Sequence, residues 1–458
     1  MVVPQQKFDV IDVINALGLE INPRQSPQMP SFNVRCPFCD DKKYHMNVNT
    51  EKDLYKCFRC GDKGGTAADL YSRVMFGERC QKGDKDVYKK VLKALTGDEP
   101  GTTARQPVRE RNEKPAIEYA RRASDDVCDA VYRELAAFPE FKLSEEHKKK
   151  LVERGLDEEA IQENGYFTIP KPSWVEKPEY EEYRAKAETF LTEAHKLPTL
   201  AKMSDDYLLA CFIVGQKISE KLNPEGVPGA FFVAGDWAFK LETGIMIPVR
   251  SYKCKIVGGQ VRKDQGQVKY MTVSSKHLPS GVDQGILRTH FPKSHANASA
   301  DIRAFITEGP LKADVATRLL QKRGENPLFI AILGVNAKQD LPEILKHLAG
   351  KGVKCVYNAL DLDRLTNPAV MKASSEIDRM ITAAGMQPKQ LLWDKDGADK
   401  KRASLEALCA ANDIIVETGH NPYAACKALA TALHQRQVEY DKTWDGAGKG
   451  IDDWLSHN

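Results

Sequence analysis

Hydrophobic residues recur with a helical spacing at both ends of the first hundred residues. Residues 8–17 and 87–95 each place apolar side chains three or four positions apart, which is typical of amphipathic helices. Residues 98–115 break this pattern, because they are rich in charge, threonine and proline and have no apolar periodicity. We therefore predict a first domain at residues 1–97 and a linker at residues 98–115.

The hydrophobic pattern of residues 116–300 changes from a helical to a strand-like period. Helices are predicted where Ser144 and Asp157 each precede a pair of glutamates, since acidic residues favour the first turn of a helix. Further along, short apolar runs are punctuated by glycine in GIMIPVRSY, KIVGGQVRK and VKYMTVSS. This region is predicted to be a mixed α+β domain.

Residues 301–458 alternate short apolar runs with helical patterns. Amphipathic stretches follow each of the runs IRAFITEG, PLFIAILG and VKCVYNAL. A β-α-β rhythm of this kind favours a parallel sheet covered by helices. Residues 397–440 do not continue the rhythm, and we predict that they are an insertion in this domain.

Four of the eleven cysteines form two Cys-x2-Cys pairs, Cys36 with Cys39 and Cys57 with Cys60, separated by 17 residues. Two such pairs can bring four thiolates onto one tetrahedral Zn²⁺ ion. His45 lies between the pairs and is a rival ligand, although a single histidine is more often an ordinary surface or core residue. The spacing predicts a four-cysteine zinc ribbon.

The remaining seven cysteines are scattered singly along the chain. That distribution fits a reducing compartment better than a disulfide framework. No apolar run approaches the roughly 20 residues that a membrane-spanning helix needs. Residues 1–17 also lack the basic start and apolar core of a secretory signal. We predict a cytoplasmic protein with no membrane partner.

Net charge carries little information, because 67 basic residues face 64 acidic ones. The distribution is more informative, since residues 245–295 contain nine Lys or Arg and only two acidic residues. A local surplus of this kind suits a polyanion, whose condensed counterions are released when its phosphates are neutralised. The alternative is an ordinary solvated, lysine-rich face.

Cations and aromatic residues alternate around the second cysteine pair, as in Tyr55, Lys56, Phe58 and Arg59. Aromatic rings can stack on unpaired bases while cations hold phosphates. The same rings can equally form the miniature core of a small zinc domain. We predict that Lys56 and Arg59 bind nucleic acid.

Carboxylates follow two of the strands predicted for the parallel sheet. Glu308 ends the first strand, and Asp361 and Asp363 follow the third. The carboxyl ends of parallel strands meet at one edge, and alternate residues of an extended segment point the same way. Three carboxylates that lie close together repel one another unless a cation neutralises them, and oxygen ligands suit Mg²⁺ or Mn²⁺. For an isolated Asp-x-Asp, surface solvation or helix capping is the commoner outcome.

A second acidic pair, Asp452 and Asp453, follows a glycine turn in GKGIDDWL. We predict that this pair forms a secondary metal or support site. The alternative is that Asp452 caps a short final helix.

Taken in order, these motifs resemble the bacterial-type, DnaG-like primases. CPFCDDKKYHMNVNTEKDLYKCFRCGDKGGTAADL resembles the zinc-binding domain of that family, and LVERGLDEEAIQENGY resembles the helical lead-in to its catalytic core. The family usually has histidine where Cys39 stands, so this chain is an all-cysteine variant. It also usually has a Pro-Ser-Phe run where Tyr44, His45 and Met46 stand.

The resemblance assigns roles to particular residues. The stretch from Gly244 to Ser275 is similar to the basic subdomain that lines the template–primer path, which implies nucleic-acid contacts for Arg250, Arg262, Lys269 and Tyr270. Glu308, Asp361 and Asp363 match the acidic signature of a TOPRIM domain and would be its catalytic, Mg²⁺-binding residues. GKGIDDWL is similar to the closing segment of TOPRIM proteins of phages and mobile elements.

The resemblance implies a DNA primase that synthesises short RNA primers from NTPs on a single-stranded DNA template during DNA replication. Its cofactors would be Zn²⁺ and Mg²⁺ (or Mn²⁺). No GxxxxGK[ST] motif is present, so the resemblance implies a separate replicative helicase as partner. A phage, plasmid or other mobile element is its expected origin. Two alternatives are a TOPRIM metal-dependent nuclease and a non-catalytic, single-stranded-DNA-binding initiation factor.

The expected fold class is therefore multidomain α/β. It combines a zinc ribbon, a mixed α+β basic subdomain and a TOPRIM domain whose parallel sheet is flanked by helices. The expected domains are residues 1–97 for the zinc ribbon, 116–300 for the start of the catalytic core with the basic subdomain, and 301–458 for the TOPRIM domain.

Overall fold

The computed structural model describes residues 8–23, 25–26, 29–39, 41, 43–80, 84–96, 120–266, 268–282, 288–294, 302–334, 337–444 and 448–457. The chain divides into two compact units, Met1–Lys114 and Pro115–Asn458, and each has its own core. The predicted linker at residues 98–115 lies outside the described residues. The division of the second unit at residue 300 remains a prediction.

The first unit is built on a small antiparallel sheet in which four strands pair in chain order, β1-β2-β3-β4. Helix α1 begins with a capping box, because Asp9 accepts from the Asp12 backbone and Asp12 in turn accepts from the Asp9 backbone. Both helices predicted at the ends of this region are present. The elements are α1 Val10–Ala16, β1 Ser31–Val34, β2 Met46–Asn49, β3 Leu54–Cys57, β4 Lys63–Gly64, α2 Ala67–Phe76 and α3 Lys85–Thr96.

The second unit opens with helices whose first turns are capped by polar side chains. Ser144 accepts a hydrogen bond from the His147 backbone and Asp157 accepts one from the Ala160 backbone, so both helix starts predicted from the sequence are confirmed. The elements up to the first sheet are α4 Asp125–Ala136, α5 Glu145–Glu153, α6 Glu158–Asn164, β5 Phe167–Ile169, α7 Glu181–Lys186, α8 Glu188–His195 and α9 Asp205–Ser219.

A four-stranded antiparallel sheet follows, with the order β10-β9-β8-β5. The three apolar runs predicted to be strands form β8, β9 and β10. Helix α9 packs tightly on the hairpin that precedes them, where Gly215 lets the Ala238 backbone approach closely. The strands are β6 Ala230–Val233, β7 Asp236–Phe239, β8 Gly244–Arg250, β9 Ile256–Lys263 and β10 Tyr270–Thr272.

The second sheet of this unit has five strands in the order β11-β13-β12-β14-β15. Four of them are parallel, as the β-α-β rhythm predicted, and the short strand β11 adds one antiparallel edge. The elements are β11 Thr289–His290, β12 Arg303–Glu308, α10 Pro310–Lys322, β13 Pro327–Ile332, α11 Leu341–Gly350, β14 Cys355–Asn358, α12 Pro368–Ala383, β15 Gln387–Gln390, α13 Lys395–Ala411, α14 Pro422–Gln435 and α15 Ile451–His457.

Helices cover both faces of the parallel sheet. Alternate residues of β12 divide between them: Phe305 belongs to the core under α10, α13, α14 and α15, and Ile306 to the core under α11 and α12. The segment predicted as an insertion, residues 397–440, supplies α14 and most of α13. These two helices therefore form part of the main core of the sheet.

The predicted fold class is confirmed: the chain is a multidomain α/β protein with a four-cysteine ribbon and a parallel sheet flanked by helices. None of the helices in the part of the chain that the structure describes is long and apolar enough to cross a membrane.

Candidate functional site

The four predicted zinc ligands converge at one end of the small antiparallel sheet. The Sγ atoms of Cys36 and Cys60 are 3.8 Å apart, and those of Cys39 and Cys57 are 3.9 Å apart. All four sulfurs lie within 4.8 Å of one another. Spacings of this size match the edges of a tetrahedron around Zn²⁺, whose bonds to sulfur are about 2.3 Å.

Backbone N–H groups and one carboxylate hold the cysteine turns in place. The Phe38 N–H points at the Cys36 sulfur, and the Arg59 N–H points at the Cys57 sulfur, at 3.4 Å in each case. His45 is not part of the thiol cluster, because its Nδ1 lies 2.7 Å from Asp41. The same carboxylate accepts a hydrogen bond from the Cys36 backbone, so His45 and Asp41 support the first turn.

The sulfur–sulfur distances fit a zinc site. Burial raises the pKa of Cys36, and it also raises the pKa of Cys39 to about 11. Protonated thiols at this distance leave their sulfur lone pairs without a strong partner, whereas Zn²⁺ binds four thiolates directly. Metal binding must then release protons, and the affinity for zinc must fall as the pH is lowered.

The aromatic residues of the ribbon fall into two groups, one buried and one exposed. Tyr55 is buried and donates a hydrogen bond to Asp69, so this ring belongs to the miniature core. Phe58 is 67% exposed, and the Lys56 ammonium lies 5.2 Å from its ring centre. Arg59 is also exposed. An exposed ring beside two cations has the arrangement that stacks on an unpaired base.

The basic stretch at residues 245–295 carries less free charge than its composition indicates. Three of its cations form ion pairs with carboxylates outside the stretch or at its edge: Lys255 with Asp126, Lys263 with Glu242, and Arg288 with Asp340. Arg250 is buried, with 4% of its surface exposed, and donates to the Asn164 carbonyl. Its strand is covered on both faces, and the contact of Arg250 with nucleic acid stays a prediction.

The other three nucleic-acid contacts predicted within the basic stretch lie together on the β9–β10 hairpin. Arg262 and Tyr270 are directly opposite each other, which places their side chains on one face of the sheet. Lys269, next to Tyr270, is exposed. Arg262 and Lys269 form no ion pair with any residue that the structure describes. Their role in binding remains a prediction, and their accessibility is consistent with it.

The acidic residues lie at the carboxyl edge of the parallel sheet. Glu308 is the last residue of β12, and Asp361 follows β14, the strand beside it. The stretch after Asp361 was expected to be extended, which is wrong, because residues Leu362–Leu365 form a 3-10 turn. Asp361 and Asp363 nevertheless face one cation: Lys449 lies 3.9 Å from Asp361 and 3.0 Å from Asp363.

A second lysine contacts this acidic centre, which we define as Glu308, Asp361, Asp363 and Asp452. The Lys312 ammonium, in the first turn of α10, lies 2.5 Å and 2.6 Å from the two carboxylate oxygens of Asp361. Burial lowers the pKa of Lys312, but the charges of Asp361, Asp452 and Glu308 outweigh this effect and raise it overall. Lys312 is therefore charged.

The pKa of Glu308 is shifted by the charged groups around it. Burial raises its pKa, and the negative charges of Asp361 and Asp363 raise it further, while Lys312 and Lys449 act in the opposite direction. Perturbation by desolvation together with specific neighbouring charges is characteristic of functional sites.

Asp452 belongs to the same centre, although only a secondary role was predicted for it. One of its oxygens pairs with Arg154, and its Oδ1 is buried without a hydrogen-bond partner among the described residues. Asp453 is half-exposed and lies 3.9 Å from Arg154. Asp452 is in the first turn of α15 and does not cap it, because its side chain is committed to Arg154.

The acidic centre offers the donor chemistry of a divalent-metal site. Its ligands are carboxylate oxygens, and both Asp363 and Asp452 retain a buried oxygen with no partner among the described residues. However, within the described parts of the chain only the four cysteines bring three or more ligand atoms within 4.8 Å of one another. The carboxylates therefore do not converge on one point in the way that the four thiols do.

Three cations that contact the acidic centre were not predicted from the sequence: Lys312, Lys449 and Arg154. A local signal exists for Lys312, because it lies four residues after Glu308, in the first turn of the helix that follows the strand. Lys449 stands in the GKGIDDWL segment beside the predicted acids. For Arg154 no local signal exists, since its partner Asp452 is 298 residues away.

Comparison with family models gives a match in the first unit. Residues 4–81 match the family model of the CHC2 zinc finger, the zinc ribbon of DnaG. This match covers all four thiols, so the resemblance of the first unit to DnaG zinc ribbons is confirmed. No curated protein sequence matches the chain.

Several solved primase structures are similar to the chain. The Aquifex aeolicus primase, solved as its zinc-binding and RNA polymerase domains, is 16% identical, with 94% of this chain and 96% of that chain covered and a TM-score of 0.34. A DnaG catalytic core is 14% identical, with 62% and 79% covered and a TM-score of 0.37. A DnaG primase catalytic domain bound to single-stranded DNA is 12% identical, with 69% and 84% covered and a TM-score of 0.36. We base the function proposed below on the residues of this chain and on the zinc finger match.

Proposed function

We propose that this chain is a DNA primase that synthesises short RNA primers on single-stranded DNA by metal-dependent nucleotidyl transfer. The observation that carries the proposal is the acidic centre at the carboxyl edge of the parallel sheet, in a chain whose residues 4–81 match the zinc ribbon of DnaG. Carboxylates held in this way are suited to phosphoryl chemistry, in which catalysis comes mainly from positioning and charge neutralisation.

The template would be bound by accessible cations and aromatic rings. In the first unit, Lys56, Phe58 and Arg59 form an exposed cation–aromatic group. In the second unit, Lys269, Arg262 and Tyr270 occupy one hairpin. Both groups pair positive charge with an aromatic ring, which is the combination that binds unpaired strands with little sequence preference.

The residues that would hold Mg²⁺ or Mn²⁺ are Glu308, Asp361 and Asp363, with Asp452 beside them. When bound, the metal supplies positive charge that neutralises the triphosphate and lowers the barrier to displacement at phosphorus. Lys449 adds a cation that is already paired with Asp363 at 3.0 Å. Burial of the centre strengthens each of these charge interactions, because the local dielectric is lower than that of water.

The reaction joins two nucleotides on the template. The 3′-hydroxyl oxygen of one nucleotide forms a bond to the α-phosphorus of the incoming NTP. The bond from that phosphorus to the bridging oxygen of the β-phosphate breaks, pyrophosphate leaves, and the hydroxyl proton passes to solvent. The role of the chain in this step is to orient the reacting groups at the buried edge of the sheet.

The test is primer synthesis by the purified protein on single-stranded DNA with Mg²⁺ and labelled NTPs, beside Asp361→Asn. We expect short labelled oligoribonucleotides from the parent protein and none from Asp361→Asn, because the variant leaves the charge of Lys312 uncompensated inside the centre. Glu343→Gln is a matched control, since Glu343 is an exposed carboxylate on α11 and should be silent.

The same assay separates the rival functions. Mg²⁺-dependent degradation of labelled DNA without NTPs would indicate a nuclease. DNA binding with neither product nor degradation, also with Mn²⁺ and with a replicative helicase added, would indicate a binding factor. Retained synthesis by a folded Asp361→Asn protein, checked by thermal unfolding, would remove the acidic centre from the mechanism.

A further inference from the structure

A groove of about 340 Å³ lies between α12 and α14. The two helices meet where the Thr431 hydroxyl contacts the Met371 sulfur at 3.7 Å. In the part of the chain that the structure describes, no acidic residue lines this groove, and its basic residues are Lys372, Arg379, Lys427 and His434. The groove is therefore a concave surface of one charge sign.

The groove cations are exposed and form no ion pair with any residue that the structure describes. Arg379 donates from its Nε to the Ser375 carbonyl at 3.4 Å, and its two terminal nitrogens have no hydrogen-bond partner among the described residues. Helix α14 has no acidic residue in its sequence, PYAACKALATALHQ. An anion that enters the groove would therefore meet cations and no carboxylate along α14.

The two acidic residues of α12 have partners elsewhere. Glu376 pairs with Lys338 at 2.5 Å, which lowers the pKa of Glu376, and two nearby groove cations lower it further. Asp378 accepts hydrogen bonds from Asn358 and Gln390. Since Glu376 already has a counter-charge on Lys338, it does not neutralise the groove.

One end of the groove adjoins the carboxyl edge of the parallel sheet. Helix α12 connects the parallel strands β14 and β15, so it begins at the carboxyl edge and runs back towards the opposite edge. Its first residue, Pro368, lines the groove, and the Asn367 N–H donates to the Asp363 carbonyl at 2.6 Å. At a rise of about 1.5 Å per residue, Arg379 lies about 17 Å further along the helix than Pro368. The cations thus lie along a path that leads away from the acidic edge.

The chemistry of the groove suits a phosphate chain. No aromatic ring lines it within the described residues, so it lacks the platform on which proteins stack bases. A guanidinium can hold one phosphate through two nitrogens, and a lysine acts as a point charge. The volume is at the lower end of the range for ligand pockets, about 300–1,000 Å³, which suits one strand and not a duplex.

We propose that the groove between α12 and α14 binds the sugar–phosphate backbone of single-stranded DNA through Lys372, Arg379 and Lys427. The inference rests on the function proposed above for the identity of the strand, which is the template as it passes the acidic edge. The groove then adds a second contact surface in this unit to the β9–β10 hairpin. Binding through phosphates is independent of base sequence and depends strongly on salt.

Fluorescence anisotropy with labelled oligothymidylate, measured at several salt concentrations on the zinc-loaded protein, tests the proposal. The groove variant combines Lys372→Gln, Arg379→Gln and Lys427→Gln. Loss of three phosphate contacts should decrease the slope of log K against log salt concentration by about 2, at about 0.7 per contact, and should weaken binding at least about tenfold at low salt. An oligonucleotide of mixed sequence should show the same loss.

A second triple variant controls for net charge. It combines Lys186→Gln, Lys196→Gln and Lys221→Gln, which are exposed lysines on or next to α7, α8 and α9. This variant loses the same charge from the same unit and should keep the slope of the parent protein. Equal changes in the two triple variants would show an effect of net charge alone and would overturn the proposal. Thermal unfolding checks that each variant is folded.

Two further outcomes count against the groove. A groove variant with the affinity and slope of the parent protein would overturn the proposal. If that variant also loses affinity for a labelled oligoglutamate peptide, the groove binds an acidic protein segment and not DNA. Primer synthesis by the parent protein is recorded separately, so absent primers count against the proposed function, whereas unchanged DNA binding by the groove variant counts against the groove.

Discussion

Two cations of the same β-rich region differ in what they can bind. Lys269 is exposed on the β9–β10 hairpin, whereas Arg250 is buried and donates to a backbone carbonyl. Both stand in the basic stretch of the sequence, and only their surroundings separate them. A lysine or arginine therefore indicates a phosphate contact only when its side chain is exposed to solvent.

Lys269→Ala should weaken binding of single-stranded DNA without changing the fold. We expect a loss of a few fold in affinity, and the slope of log K against log salt concentration should decrease by about 0.7, which is the value for one phosphate contact on a single strand. Fluorescence anisotropy with a labelled oligonucleotide at several salt concentrations measures both quantities.

Lys196→Ala is the matched control for that experiment. Lys196 is also an exposed lysine of the second unit, and it lies 2.5 Å from Glu193 at the end of α8, a helix that packs on α7, α9 and β6. Equal losses in the two variants would show that the contact of Lys269 with DNA is not specific to its position.

The residue types in the sequence predicted the candidate metal ligands well, but they predicted contacts between residues far apart in the chain poorly. The four cysteines could be assigned to zinc because ligand type and spacing are both local, and Glu308 and Asp361 could be placed on one edge because strand ends meet there. Lys312 has its partner 49 residues away and Arg154 has its partner 298 residues away. Pairings over such distances depend on packing that no local pattern encodes.

At the level of elements, Asp157 joins two helices. It caps α6 through the Ala160 backbone and pairs across to α10 through Arg318 at 2.8 Å and Lys322 at 3.0 Å. Partial burial raises the pKa of Asp157, but the Ala160 N–H and the two cations outweigh it and hold the pKa well below its usual range. The carboxylate thus helps to fix the helix that carries Lys312.

Asp157→Asn should destabilise the second unit at neutral pH by about 1 kcal/mol or less, because asparagine keeps the cap but loses the exposed ion pairs. The pKa of Asp157 is lower in the folded chain than in the unfolded one, so its contribution is complete above the unfolded pKa of about 3.9 and is lost as the pH falls further. Urea unfolding followed by tryptophan fluorescence at pH 7 and at lower pH should show the difference between parent and variant shrinking.

Glu182→Gln provides the comparison for Asp157→Asn. Among the residues that the structure describes, the ion pair of Glu182 is with Lys186 on the same exposed helix, so replacement of Glu182 should have a smaller effect at every pH. A difference between Asp157→Asn and the parent that stays constant down to pH 3 would contradict the assigned ion pairs.

At the scale of the whole molecule, the two units differ in the interactions that stabilise them. The first unit is small and depends on four thiols, whereas the second has extensive cores on both faces of its parallel sheet. Small zinc domains are commonly unfolded without metal. All five tryptophans, at positions 174, 237, 393, 444 and 454, belong to the second unit.

Removal of zinc by a strong chelator should therefore unfold the first unit alone. Far-UV circular dichroism should lose signal, while the unfolding curve followed by tryptophan fluorescence should stay where it was. Cys57→Ser should behave like the chelated parent, and Cys254→Ser, which changes a cysteine outside the ribbon, should behave like the untreated one. A chelator-induced shift of the fluorescence curve would show that the second unit also depends on the metal.

The pairing of Arg154 with Asp452 has a consequence for how the protein is made. During translation the strands that carry Glu308 and Asp361 leave the ribosome well before Lys449 and Asp452. A nascent chain can therefore assemble the parallel sheet while its acidic edge still lacks the counter-charge of Lys449 and the carboxylate of Asp452. Residues 448–457 then add the ammonium of Lys449 and the carboxylate of Asp452, and a chain that stops before them lacks both.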